Sequence, residues 1–428
     1  MLASNDLPKF IFNHSSLFSD IIAPLFCLTL IALLLSRIFD SKPSRKVFLL
    51  DFACYKPPAG LTWSKELVIE RARQACTNLS EETLEFMEKL LEKSGLGPST
   101  YLPDAFRRDP PNECLDDARN ESEMVIFGAV DELLAKTGVK GEDIGIVIVN
   151  CGVLEAAPSL SAMIVNRYKL GDKVASYDLS GMGCSAGLSR SCRPCQTVHS
   201  TSSYALLPFS SPTSHRSDSH VARYQLIHSV RTNTTASDSS YNCVTRLEDS
   251  QGLLGVTTTK DLIQEAIRTI EANLTTLGHL VLPISEKIRL VTNYTARRFH
   301  GAKVKPYVPN FMKAIDHVIT HVGAIHVLDG VERKLKLSKT DMEASRMTLY
   351  RFGNTASSSV WYGLAYAEAK GRIKRGDRVW QISFGSGFKC TSFIMKAMRA
   401  VDREEKNPWS SEIDEFPVES PERGPEEH

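Results

Sequence analysis

Among the ten cysteines of this 428-residue chain, Cys184 has the most chemically suggestive surroundings, Leu179-Ser-Gly-Met-Gly-Cys-Ser-Ala-Gly187. A short strand over 174–177 leads into a Gly-Met-Gly turn, and small residues able to start a helix follow the cysteine. Glycines allow the sharp turn of a nucleophile elbow, and a helix N-terminus behind the sulfur lowers a thiol pKa. Backbone N–H groups at such a turn can also hold a developing oxyanion. The same surroundings suit a buried structural cysteine packed by small neighbours. That plainer reading extends to Cys54, Cys151 and Cys390.

A reactive thiolate needs a base and an electrophile-stabilising partner, usually distant in sequence. His317 and His321, in His317-Val-Ile-Thr-His321-Val-Gly323, stand four residues apart and read as one face of a helix. They suit a metal pair or surface histidines. A zinc reading lacks the glutamate of H-E-x-x-H and any further ligand, so no metal is expected. Asn354, in Arg351-Phe-Gly-Asn-Thr355, precedes a serine run able to start a helix, and it also suits an ordinary turn. Gly385-Ser-Gly387 follows a buried strand like a phosphate cradle but lacks the spacing of a dinucleotide or Walker loop. Cys192-Arg-Pro-Cys195 has no second pair and no strand ahead of it, so it reads as accidental.

The elements that must position these groups alternate. An apolar strand over 47–55 is closed by Pro57-Pro58, and a helix opened by Asn78 or Ser80 runs to Leu91 and ends at Gly95 and Gly97. A helix over 121–136, a continuous apolar strand over 144–150 and a helix over 160–168 follow, which is the grammar of an α/β fold. The second half repeats it. A helix spans 260–275, a loop covers 277–283, and an apolar piece covers 314–324. Helices at 341–350 and 357–370 then precede a strand at 379–384 and the glycine loop. Between the halves, 189–240 is roughly one-quarter serine, with almost no apolar periodicity, and reads as low complexity. The end of the chain, rich in Pro and Glu, reads as a disordered tail over 410–428.

Hydrophobic residues make up 42% of the chain and charged residues 24%, which excludes a disordered or collagen-like protein. A net charge of +1 gives no global steering towards nucleic acid. Scattered cysteines point to reduced thiols on the cytosolic side. One stretch differs: IIAPLFCLTLIALLL, 21–35, has no charge and, with its apolar flanks, approaches the ~20 residues of a spanning helix. It lacks the basic start and small-residue cleavage site of a signal peptide. Arg37, Lys42, Arg45 and Lys46 follow it, so the positive-inside rule puts the rest of the chain in the cytosol. A membrane anchor over 1–45 is therefore expected.

LSGMGCSAG around Cys184, MIVNRYKL before it, EASRMTLYRFGNTASSSVWY, RGDRVWQISFGSGFKC and NPW near the end resemble the plant 3-ketoacyl-CoA synthases. These are the condensing enzymes of very-long-chain fatty acid elongation, related to chalcone-synthase-type polyketide synthases. The resemblance covers 46–188 and 261–409. It implies a thiolase-like α/β fold, duplicated as αβαβα in five layers, behind an N-terminal transmembrane helix. The family usually has two spans, and this chain shows one. One half would cover 46–250 and carry Cys184; the other would cover 251–409 and carry His321 and Asn354. The implied roles are Cys184 as acyl-accepting nucleophile, with His321 and Asn354 donating hydrogen bonds to the thioester oxygen of malonyl-CoA. His317, His228, Gly385 and Gly387 would support them. The implied substrates are acyl-CoA and malonyl-CoA, with no metal or redox cofactor. The implied setting is the endoplasmic reticulum membrane, in contact with membrane lipid, with the catalytic domain facing the cytosol. Other elongase enzymes (reductases and a dehydratase) and a homodimer are the implied partners.

The chain departs from the family pattern in places. Tyr350 stands where the family has histidine, and Asp178 where it usually has asparagine. After Leu188 the family continues the nucleophile helix and a strand, whereas here only Ala205-Leu-Leu-Pro echoes them, and the family pattern returns around Tyr224. Pro194 would end the nucleophile helix within two turns. The expectation is a sheet that loses a buried strand. The alternative reading is a catalytically impaired relative, mis-spliced or frameshifted after Leu188, that acts only as a binding or scaffold protein.

Overall fold

In the computed structural model the described residues are 46–75, 81–108, 114–151, 154, 156–188, 197–201, 204–209, 221–248, 254–299, 304–385, 387–403 and 405–418. The expected anchor (21–35), the caps at Asn78 and Ser80, Pro194 and the Cys192/Cys195 pair lie outside them. No helix among the described residues is long and apolar enough to cross a membrane.

Nine strands form one sheet: β1 (Val47–Cys54), β2 (Ile146–Asn150), β3 (Ala175–Leu179), β4 (Thr197–Thr201), β5 (Tyr204–Phe209), β6 (Tyr224–Asn233), β7 (His317–Thr320), β8 (Arg378–Gly385) and β9 (Lys389–Ala397). Their order is β7-β8-β9-β6-β1-β5-β4-β2-β3. The sheet repeats one pattern outward from its middle, where β1 and β6 pair antiparallel. Outward from β1, the sheet passes through the antiparallel strands β5 and β4, and β2 lies parallel to β4. From β6, it passes through the antiparallel strands β9 and β8, and β7 lies parallel to β8. This is the structural form of the duplicated grammar seen in the sequence.

The expected loss of a strand after Leu188 does not occur. Residues 197–201 and 204–209 supply β4 and β5, which bridge β2 to β1. The low-complexity reading of 189–240 also fails from Tyr224 onward, because β6 lies between β1 and β9 near the centre of the sheet. Backbone pairing asks little of side-chain pattern when strands on both sides offer free N–H and C=O groups.

Three apolar clusters pack the sheet. Helices α1 (Leu115–Thr137) and α2 (Leu160–Arg167) cover Leu50 and Ala53 of β1 and Val147 and Val149 of β2. Helix α3 (Leu262–Val281) overrides the loop expected at 277–283 and covers Val230, Trp380 and Ile394; α4 (Ile284–Phe299) follows at once. Helix α5 (Lys339–Phe352) starts on a capping box between Ser338 and Asp341. Helix α6 (Ser359–Ala369) is buried at every residue and packs with Leu49, Phe52 and Cys54 of β1 and Ile319 of β7. A helix without a polar face belongs inside, and α6 fills the interior layer. The C-terminal segment is not a disordered tail through its described part. Trp409, Ile413 and Phe416 are buried, with Trp409 edge-on to Phe352, Tyr366 and Phe416.

One buried polar network joins three distant segments. The Arg223 guanidinium meets Asp51 of β1 (3.3 Å), Glu368 of α6 (2.9 Å) and Glu405 of the C-terminal segment. Tyr224 donates its hydroxyl to Glu368 at 2.7 Å.

Candidate active site

The end of β8 gathers the candidate residues. His321, directly after β7, donates its backbone N–H to Ile382 O at 2.8 Å. Ser383 donates its hydroxyl to the Cys184 carbonyl. The Phe384 ring meets the His321 ring edge-on at 5.4 Å. Gly385 lies so close to the nucleophile turn that a Cβ there would fall 2.9 Å from Cys184 N and 3.1 Å from Ser185 N. Four consecutive residues of one buried strand thus hold both the thiol and the imidazole.

Cys184 sits in a six-residue 3-10 helix, Gly183–Leu188, reached through left-handed Gly181 (φ 64°) and Gly183 (φ 53°). Those angles are why glycine is needed on either side of Met182. The turn was legible in the sequence, but its electrostatics differ from expectation. Burial pushes the thiol up to about 11, and its own backbone N–H opposes this only in part. So short a helix brings too little dipole to win against desolvation.

His317 and His321 do not share a helix. The segment is β7, and its Val318 and Ile319 are buried because both faces of the sheet are covered. The two histidines lie at opposite ends of the strand, roughly 13 Å apart at strand rise. His317 Nε2 bonds Asp377 at 2.9 Å, away from Cys184, so it is a structural contact. His228 pairs with Ile394, which faces Trp380, five residues along β8 from Gly385 and roughly 16 Å away. Neither histidine reaches the site. Gly387 approaches the carbonyl of Tyr241, where a Cβ would fall at 3.3 Å, so of the two loop glycines only Gly385 touches the nucleophile turn.

The His321 ring is buried, and burial pushes it down to about 4. It is therefore neutral near pH 7. Its Nδ1 lies 2.7 Å from Ser359 Oγ, and its Nε2 points towards Gly323, where a Cβ would sit 3.4 Å away. The Gly323 carbonyl accepts the Asn354 side-chain amide at 3.0 Å. Asn354 Oδ1 accepts the Ala356 N–H at 2.9 Å, so both ends of the carboxamide are fixed while the residue stays exposed. Its second amide hydrogen is left to donate elsewhere. Imidazole Nε2 and carboxamide Nδ2 thus flank one glycine.

Sequence reasoning missed Ser359 and Ser383. Both sit where polar residues interrupt buried apolar runs, in ASSSVWY and QISFG, and that interruption was the available signal. Tyr350 and Asp178 are away from these groups. The Tyr350 ring packs on Phe416, and Asp178 accepts the Ser161 N–H at 3.1 Å at the start of α2. A half-buried thiol, a neutral imidazole and an exposed carboxamide at one strand end suit acyl transfer through a thioester, with two neutral donors for an oxyanion.

Comparison with known proteins agrees. The model of the FAE1/type III polyketide synthase-like family matches 39–191 and 205–299. That of the 3-oxoacyl-[acyl-carrier-protein] synthase III C-terminal domain matches 311–397. The first match resumes at 205, earlier than the return near Tyr224 read from the sequence. 3-Ketoacyl-CoA synthase 11 of Arabidopsis thaliana is 45% identical, over 94% of this chain and 85% of its own length. 3-Ketoacyl-CoA synthase 2 of the same plant is 44% identical, over 99% of this chain and 85% of its own. Probable 3-ketoacyl-CoA synthase 20 of Oryza sativa subsp. japonica is 44% identical, over 90% and 80%. The alignment with synthase 2 spans 462 positions, more than the 428 residues present, so that relative carries residues this chain lacks. The chain belongs to the FAE1/type III polyketide synthase-like family and, within it, to the 3-ketoacyl-CoA synthases.

Proposed function

We propose that this protein catalyses the decarboxylative Claisen condensation of malonyl-CoA with a long-chain acyl-CoA in very-long-chain fatty acid elongation. The observation that carries this reading is the end of β8, where Ile382 to Gly385 hold both the Cys184 turn and His321.

In the first half-reaction the Cys184 sulfur attacks the acyl-CoA thioester carbonyl, its proton leaves, and CoA departs as the free thiol. Backbone N–H groups of the 183–185 turn are the donors this reading assigns to the developing oxyanion. Malonyl-CoA then loses CO2, and the resulting enolate oxygen takes hydrogen bonds from His321 Nε2 and Asn354 Nδ2. The enolate carbon attacks the acyl group, and the Cys184 thiolate leaves. The product is a 3-ketoacyl-CoA two carbons longer. No electrons change hands, so the chemistry asks for no redox cofactor.

Ser359 bears on the His321 tautomer. Its oxygen accepts the Val322 N–H at 3.3 Å and lies 3.0 Å from Ala356 O, so its one proton goes either to that carbonyl or to His321 Nδ1. Only the second choice leaves the proton on Nε2, where the enolate needs a donor. A neutral imidazole can fill this role because its N–H becomes a better match as charge grows on oxygen.

The repeated sheet and the interior helix α6 support a five-layer thiolase-like arrangement, but its second half starts at β6, Tyr224–Asn233, rather than at the expected 251. The run 21–35 supports an anchor in the endoplasmic reticulum membrane with the body in the cytosol, next to membrane lipid and the reductases and dehydratase of elongation; a homodimer fits the family. A catalytically impaired relative is not favoured, because β4 and β5 close the sheet it would have left open. The test is mass spectrometry after incubation with a long-chain acyl-CoA alone. The peptide containing Cys184 should carry one acyl group, released by hydroxylamine. Acylation at another residue would sink the assignment.

A further inference from the structure

Helix α4 is mounted inside out. Its Glu286 is 0% exposed and accepts the Tyr307 hydroxyl (2.5 Å), the Asn310 N–H (3.0 Å) and the Lys313 ammonium (2.6 Å). Two turns on, Asn293 accepts the Tyr307 N–H at 2.9 Å and donates to Lys305 O at 3.1 Å. Polar residues therefore fix the inner face and lock the helix in this rotation. The opposite face carries Ile284 (77% exposed), Ile288 (57%) and Val291 (59%) at spacings of four and three, with Tyr294 (67%) beside them. A surface helix ordinarily does the reverse, turning its apolar stripe to the core.

The charges on α4 favour one kind of occupant. It carries Lys287, Arg289, Arg297 and Arg298, and its single acid, Glu286, is buried against Lys313 and pairs with Arg289 at 3.6 Å. Arg297 and Arg298 are exposed in the last turn, and Arg298, seven residues after Val291, lies on the stripe itself. A second copy packed about a two-fold axis through the stripe would run the helices antiparallel and set Arg297 and Arg298 of each against the apolar Ile284 end of the other. A bilayer with anionic headgroups accepts both parts: apolar side chains enter the acyl boundary, and Lys287 and Arg298 beside them meet phosphate. We propose that α4 is a membrane-docking helix that seats on an anionic lipid surface. This inference uses neither the expected anchor at 21–35 nor the condensation chemistry.

The test uses the full chain carrying Ile288→Trp, reconstituted into phosphatidylcholine/phosphatidylserine vesicles with or without brominated acyl chains. The emission added to that of the four native tryptophans should fall by about half with brominated lipid, as expected of a side chain at the acyl boundary. Glu88→Trp, exposed on the helix Glu81–Glu92, should be unaffected. Adding Arg297→Glu and Arg298→Glu should reduce quenching at position 288 severalfold, as should high salt. An unquenched Trp at 288 in correctly folded protein overturns the proposal. Ile288→Cys copies that disulfide-link within one vesicle, with no quenching, would show a protein interface and overturn it too. Equal quenching in phosphatidylcholine alone, unchanged by the two glutamates, would overturn the anionic surface.

Discussion

Replacing Gly385 with alanine places a methyl carbon 2.9 Å from Cys184 N, 3.0 Å from Cys184 Cβ and 3.1 Å from Ser185 N. Unstrained carbon contacts begin near 3.5 Å. All three neighbours are backbone atoms or the root of a side chain, and none can swing aside. Relief therefore needs a shift of about half an ångström in the nucleophile turn or the strand end. Overpacking of this kind costs about 1–3 kcal/mol of stability. The catalytic cost is larger, because misplacing reacting groups by about 1 Å loses ~100-fold, and the methyl also crowds the Cys184 N–H. We expect the rate constant for acylation of Cys184 to fall about 10- to 100-fold in Gly385→Ala. Rapid-quench single turnovers with radiolabelled long-chain acyl-CoA measure it as protein-bound label. Gly330→Ala, in the helix Ile325–Leu335 with nothing within 4 Å of the new methyl, is the control and should acylate at the parent rate. Wild-type acylation by a folded Gly385→Ala protein would refute the claim that this strand end holds the nucleophile.

Three further outcomes follow from the burial of charge. Alkylation of Cys184 by iodoacetamide should rise about tenfold per pH unit from pH 7 towards the thiol pKa of about 11, and a plateau below pH 8 would contradict a raised pKa. His321, pushed down to about 4, binds fewer protons folded than unfolded between pH 4 and about 6.5, so its contribution to stability is lost as pH falls through that window. Urea melts should show a loss on the order of 3 kcal/mol that His321→Phe removes. Arg223→Ala should destabilise the protein by about 3–5 kcal/mol in the same melts, since it leaves the buried Glu368 without its cation and Asp51 with only Arg399 at 3.8 Å.

What the sequence made legible was the chemistry carried by spaced small residues. Gly181 and Gly183 announce the turn at Cys184 because no other residue takes their backbone angles so cheaply. His321 and Asn354 were found through motifs, although the helix assigned to the former is a strand. Val318 and Ile319 are buried in a sheet covered on both faces, and a short apolar run of that kind carries no period to tell strand from helix. Of strands β4 and β5 only Ala205-Leu-Leu-Pro in β5 gives a sequence echo, since their place comes from partners supplied by β1 and β2. Trp409, Ile413 and Phe416 stand at spacings of four and three, but the acids and prolines around them make the segment read as a tail, and each fills a gap beside α6. The raised pKa of Cys184 was misread because burial is a tertiary quantity, whereas the helix start behind it is local.

The condensation itself is the most direct test. Microsomes carrying this protein, supplied with radiolabelled malonyl-CoA and a long-chain acyl-CoA, should release CO2 and form a labelled 3-ketoacyl-CoA two carbons longer than the substrate. Microsomes carrying Cys184→Ala should form none above the vector background. Labelled 3-ketoacyl-CoA formed equally well by Cys184→Ala, or absent with a folded wild-type protein, would contradict a Cys184-borne condensation.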